Sequence, residues 1–164
     1  MIHLATGIAI SEGRLLMVAS RYPSHPQPLW NLPGGRQLLG ELLAETVVRE
    51  FYEETGLRVE AGQVAYVSES YDGDVHVLNV TFSVEFTSLR PSTALPAVAP
   101  LRMTQVEDDH VVEAAWVPLA EVGERIAVGV VREPLLAYLR GELTQRYAGF
   151  HEAGVTIEWP EDSR

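Results

Sequence analysis

The chain reads as an α+β protein, a mixed β-sheet sandwiched between α-helices (an α/β/α sandwich), and three observations lead there. Short apolar or alternating runs rich in Val, Ile, Tyr and Phe recur along the chain and read as strands. One long segment, Leu42 to Thr55, carries its apolar residues at helical spacing. Strands surround a few helices without the regular alternation that builds parallel βαβ units.

The elements follow in order. His3 to Ile10 and Arg14 to Ala19 are strands, joined through the turn residues Ser11-Glu12-Gly13. Tyr22 to Leu29 holds Pro23, Pro26 and Pro28 and is a surface loop. A short strand at Trp30 to Leu32 stops at Pro33-Gly34-Gly35. The helix Leu42–Thr55 follows, with Gly40 as its N-cap and Gly56 as the C′ residue that ends it. Strands are expected at Leu57–Val59, Val64–Ser70 and Val75–Phe86, the last two joined by a hairpin at Asp72-Gly73. Ser88 to Pro100, rich in Pro, Ala and Ser, begins a long loop spanning about residues 88–110. Val111–Val117 is a strand, Pro118 opens a short helix through Arg125, Arg132–Leu143 is a second long helix, and Gly154–Trp159 is a late strand.

Composition narrows the functions. The 164 residues, 46% hydrophobic and 21% charged, fit a single domain, residues 1–164, with its own core. No apolar run approaches the roughly 18 residues that span a bilayer, and the N-terminus lacks the layout of a secretory signal. The absence of cysteine removes disulfides, thiolate metal sites and cysteine nucleophiles. Together these lead us to expect a cytoplasmic protein with no membrane partner. The net charge of −11 repels nucleic-acid backbones, which argues against binding a duplex. All 12 basic residues are arginine, so a Walker-type phosphate loop and Schiff-base chemistry are excluded. The five histidines lack zinc-ligand spacing.

Chemistry concentrates on the Leu42–Thr55 helix. Leu43, Val47, Val48 and Phe51 lie along one arc that would pack on the sheet. Glu50, Glu53 and Glu54, spaced i, i+3, i+4, fall within about 100° of one another. Such a triplet is either a solvated acidic face or a cation site. Like charges at these spacings cost roughly 0.2–0.5 kcal/mol per pair. The helix dipole disfavours negative charge in the last turns by about 0.3–1 kcal/mol each. A hard divalent cation removes both penalties, and carboxylate oxygens are what Mg²⁺ or Mn²⁺ selects.

Gly35, five residues, Glu41, seven residues, then Arg49-Glu50-Phe51-Tyr52-Glu53-Glu54-Thr55-Gly56-Leu57 match every fixed position of G-x5-E-x7-R-E-U-x-E-E-x-G-U, where U is bulky and apolar. Phe51 stands where an aliphatic residue is more usual. This segment, 35–57, resembles the signature box of the Nudix hydrolase family (MutT-like members included). The flanks agree: Trp30-Asn31-Leu32-Pro33-Gly34-Gly35 is similar to the family's lead-in, and Glu113–Val122 to its strand-to-helix exit.

The resemblance implies a Nudix fold and a Mg²⁺- or Mn²⁺-dependent hydrolase that cleaves the diphosphate of a nucleoside diphosphate linked to another moiety. Glu50, Glu53 and Glu54, with the Gly35 carbonyl, would hold the metal. Glu41 and Arg49 would pair and orient the catalytic helix. The base that activates water would be Glu50 or Glu53, or a loop acid among Glu107, Asp108 and Asp109. Arg21 and Tyr22, after the second strand, would contact substrate. A homodimer is the protein partner the family allows. No Ser-Gln-Pro-Trp stretch follows the box, Asp72-Gly73 lies where ADP-ribose-type members carry proline, and Tyr71 falls slightly short of the diadenosine-polyphosphate register, so no subfamily is implied. The alternative is a catalytically silent Nudix-fold module that binds a nucleotide or a partner. Such modules usually lose box glutamates, and this chain keeps them all.

Overall fold

The computed structural model describes residues 1–87 and 111–154. These hold strands β1 (Ile2–Ile8), β2 (Ile10–Ser11), β3 (Arg14–Ser20), β4 (Leu29–Asn31) and β5 (Gly34–Arg36), then helix α1 (Leu43–Thr55). Strands β6 (Val59–Asp72), β7 (Val75–Phe86) and β8 (Val111–Pro118) come next. A 3₁₀ turn (Leu119–Glu121), helices α2 (Val122–Arg125) and α3 (Gly129–Leu139), and strand β9 (Tyr147–Phe150) complete the described chain.

The strands form two sheets. One is mixed, in the order β5-β1-β7-β6-β9, with β1–β7 and β6–β9 parallel and the other pairs antiparallel. The other is antiparallel and centred on β3, with β2 and β4 along one edge and β8 along the other.

Alternation of side chains across the strands divides the core in two. Ala5, Ala9 and Leu16 join Val47 and Phe51 of α1 with Val80, Phe82 and Val84. Ile8, Leu15 and Met17 face the other way, with Tyr66, Val122, Ile126 and Leu135 under α2 and α3. Helices therefore cover both sides, as the sequence led us to expect. Gly7 sets how closely α1 approaches, since a Cβ there would lie 2.8 Å from Phe51 Cε2. Among the described residues no helix is long and apolar enough to cross a membrane.

Several local expectations needed correction. The chain does not simply stop at Gly34-Gly35: those residues and Arg36 form β5 and pair with Thr6, Ala5 and Leu4. The two strands expected at 57–59 and 64–70 are one, β6, with register irregularities around Val64. The last long helix begins and ends earlier than expected, at Gly129 and Leu139. Strand β9 had no clear signal, because a four-residue run containing Gly is a poor strand by itself. It forms through partners on β6: Val67 N–H donates to Arg146 O at 2.7 Å, and the Tyr147 hydroxyl donates to Glu69. The expected strand at Gly154–Trp159 lies outside the described residues beyond Gly154.

Candidate active site

Helix α1 is held at both ends. Its N-cap is Leu42 rather than Gly40, and the Leu42 N–H donates to the Glu45 carboxylate at 2.8 Å, which satisfies an otherwise orphaned donor. At the other end Gly56 adopts φ 74°, the left-handed cap expected of it, and its N–H donates to Tyr52 O. With Val47 and Phe51 fully buried beneath the helix, Glu50 is directed towards β5. Glu53 and Glu54 follow on the same flank.

Arg49 organises this flank. Its Nε and Nη2 donate to the two oxygens of Glu41 at 2.6 and 3.1 Å, a two-pronged pair. Nη2 also reaches the Arg36 carbonyl at 3.0 Å, and Nη1 donates to Glu50 Oε1 at 2.8 Å and Glu53 Oε2 at 3.0 Å. The guanidinium hydrogen bonds hold the Glu41 carboxyl down at about 2, and Glu41 in turn raises the Arg49 pKa. These four side chains are only 16–24% exposed, so their charges act through little water.

Two glycines bring the backbone to the carboxylates. A Cβ on Gly35 would lie 2.5 Å from the Glu50 carboxyl carbon, so only glycine leaves Glu50 room against β5. The Gly34 N–H donates to Glu54 Oε2 at 2.8 Å. Burial pushes the Glu50 carboxyl up, opposed by Arg49. Tyr22 belongs to the same neighbourhood: burial raises its hydroxyl pKa, the Glu54 charge raises it further, and a Ser20 hydrogen bond lowers it.

The structure thus brings together Gly35, Glu41, Arg49, Glu50, Glu53 and Glu54, with Tyr22 close enough for the Glu54 charge to raise its pKa. Arg21 is exposed at the end of β3. Glu107, Asp108 and Asp109 lie outside the described residues. Arg49 does more than pair with Glu41. It supplies Glu50 and Glu53 with the positive charge whose lack made the acidic triplet look costly. The i, i+4 spacing of Arg49 and Glu53 was the available signal. Among the described residues no three carboxylates converge tightly enough to cage a cation. Arg49 stands between Glu50 and Glu53, and Glu54 is turned onto Gly34. The donor set nevertheless fits Mg²⁺ or Mn²⁺. It offers three hard carboxylates on one helix flank, with Glu50 against the bare Gly35 backbone that a side chain would fill. Sequence reasoning missed the Gly34 N–H, the Arg36 carbonyl and Thr46, whose hydroxyl donates to Glu41 Oε2 at 2.9 Å. A backbone N–H donor and a backbone carbonyl acceptor leave no residue-type signal.

Comparison with known proteins agrees with this architecture. The family profile described as NUDIX domain matches residues 1–139. A putative mutator protein, MutT4, of Mycobacterium tuberculosis is 31% identical over 139 residues, covering 82% of this chain and 50% of that protein. The chain therefore spans about half the length of this curated relative. Among solved structures, a NUDIX hydrolase from Nitrosomonas europaea superposes with TM-score 0.66 at 21% identity, covering 90% of this chain and 92% of that one. A MutT protein from Methanosarcina mazei superposes with TM-score 0.68 at 21% identity, covering 87% and 96%. At such identities these two structures establish a shared fold.

Proposed function

The chain belongs to the NUDIX family, and on that premise we propose that it hydrolyses the diphosphate linkage of a nucleoside diphosphate derivative with Mg²⁺ or Mn²⁺. The observation that carries the proposal is the intact carboxylate flank of α1, supported by Arg49 and set against Gly34 and Gly35.

Glu50, Glu53 and Glu54, with the Gly35 carbonyl, are the proposed metal ligands. A bound divalent ion would offset phosphate charge and lower the pKa of a bound water. The chain's own residues divide the remaining work. Water oxygen attacks one phosphorus, the bridging P–O bond breaks, and its electron pair leaves with the departing phosphate. A carboxylate takes the water proton: Glu50 or Glu53 on the helix, or Glu107 or Asp109 from the loop beyond the described residues. Glu41 and Arg49 hold the helix flank in place. Arg21 and Tyr22 are the proposed substrate contacts, and the influence of the Glu54 charge on the Tyr22 hydroxyl supports its share of that role. The same reading makes the substrate a small nucleotide, the setting cytoplasmic, and a homodimer the assembly to look for by sedimentation.

The test is turnover of nucleotide sugars, dinucleotides and nucleoside triphosphates by the full chain, with and without MgCl₂ or MnCl₂. Metal-dependent release of a nucleoside monophosphate or diphosphate product is expected. No turnover with either metal would overturn the enzyme reading in favour of a silent nucleotide-binding module.

A further inference from the structure

Thr46 is fully buried in the first turns of α1, and its hydroxyl reaches two acceptors. One is the carbonyl of Leu42 at 3.2 Å, the usual resort of a threonine inside a helix. The other is Glu41 Oε2 at 2.9 Å. Leu42 O already accepts the backbone N–H groups of Glu45 and Thr46, each at 2.9 Å. A hydroxyl has one hydrogen, and the nearer, charged acceptor takes it. Glu41 thereby accepts four hydrogen bonds: Oε2 from Leu38 N–H, Thr46 and Arg49 Nη2, and Oε1 from Arg49 Nε. Of the side chains donating to this carboxylate, Arg49 is long and partly exposed, while Thr46 is short and enclosed.

We infer that Thr46 is a positioning residue for the metal-binding carboxylates. Its hydroxyl fixes the plane of the Glu41 carboxylate, which holds the Arg49 guanidinium so that only Nη1 reaches Glu50 and Glu53. Without that hydroxyl Glu41 rotates. The guanidinium is then free to engage Glu50 and Glu53 more fully and to compete with a cation for their oxygens. The inference rests on the metal site proposed above.

Mn²⁺ binding to the nucleotide-free protein, followed through the EPR signal of free Mn²⁺, tests it alongside thermal melting in EDTA. Thr46→Val keeps the shape and removes the hydroxyl, and its Mn²⁺ Kd should rise about tenfold, the lower end for a residue supporting metal ligands. Thr46→Ser keeps the hydroxyl and should stay within about twofold of wild type. In a Glu41→Ala background Thr46→Val should change the Kd no further, because the carboxylate that the hydroxyl positions is gone. Should Thr46→Val fail to fold, Thr46→Ala makes the same comparison. The inference is overturned by a wild-type Kd in the hydroxyl-free variant, by equal loss in Thr46→Ser, or by a melting change with no Kd change. If the wild-type protein binds no Mn²⁺, the metal site itself falls, and this inference falls with it.

Discussion

Gly35→Ala separates the geometry of the site from the stability of the fold. The added Cβ would lie 2.5 Å from the Glu50 carboxyl carbon and from Oε1, and 2.8 Å from Oε2. Ordinary van der Waals contact begins near 3.4 Å, so the carboxylate must retreat by about 1 Å. The far end of a side chain moves cheaply, at about 0.5–1.5 kcal/mol for an off-rotamer shift. For a chain of this size each kcal/mol lowers Tm by roughly 2–4 °C. A reacting group displaced by about 1 Å, by contrast, costs on the order of 100-fold in rate. Gly34→Ala, one residue away, is the comparison for stability, since its N–H also holds Glu54. There the Cβ would meet Ala5 O at 2.2 Å and Thr6 Cα at 2.6 Å, at φ 152°, so backbone must move. Overpacking of this kind costs about 3 kcal/mol, and Gly34→Ala should melt roughly 6–12 °C lower. The assay is kcat on the best substrate of the panel, with thermal melting and far-UV CD on both variants. If Gly35→Ala keeps more than about half of the wild-type kcat, or loses activity only in step with Tm, the clearance argument is wrong.

Glu41→Gln should flatten the acid limb of stability. The folded-state value of about 2 lies below the ordinary 4.5. The contribution of Glu41 is therefore complete above about pH 4.5 and is lost as pH falls towards 2. Allowing for its partial exposure, about 2 kcal/mol is at stake; identical acid-unfolding curves for variant and wild type would count against the Arg49 pairing as its source. Glu53→Gln and Glu54→Gln should each lower kcat by about 100-fold or more while Tm stays near wild type. A near-normal rate in either would remove that residue from the metal site. Arg21→Ala should raise KM more than it lowers kcat if the side chain grips ground-state phosphate, and an unchanged KM retires that role.

How much was legible without coordinates differed from element to element. Helix α1, its Gly56 terminus and the β6–β7 hairpin at Asp72-Gly73 could be read from local signals, because periodicity and positive-φ glycines are properties of adjacent residues. Gly40 misled as an N-cap. It does take a positive φ of 88°, but in the loop before the helix, and the helix starts instead where Leu42 meets the Glu45 carboxylate. Strands β5 and β9 were invisible, since three residues of Gly-Gly-Arg and four of Tyr-Ala-Gly-Phe become strands only when β1 and β6 offer them partners.

The site divides in the same way. Which side chains carry the chemistry, and that Glu50, Glu53 and Glu54 share a helix flank, follows from spacing along one segment, since a helix turns residue number into direction. What Arg49 does with those carboxylates does not follow from spacing. Its guanidinium meets Glu41 from the preceding loop, Glu50 and Glu53 from its own helix, and the Arg36 carbonyl from β5. That meeting exists only once β5 has paired with β1 and α1 has settled over Gly7. The bare Cα of Gly35 beside Glu50 has the same origin, as contact between residues far apart in the chain is set by packing rather than by local pattern.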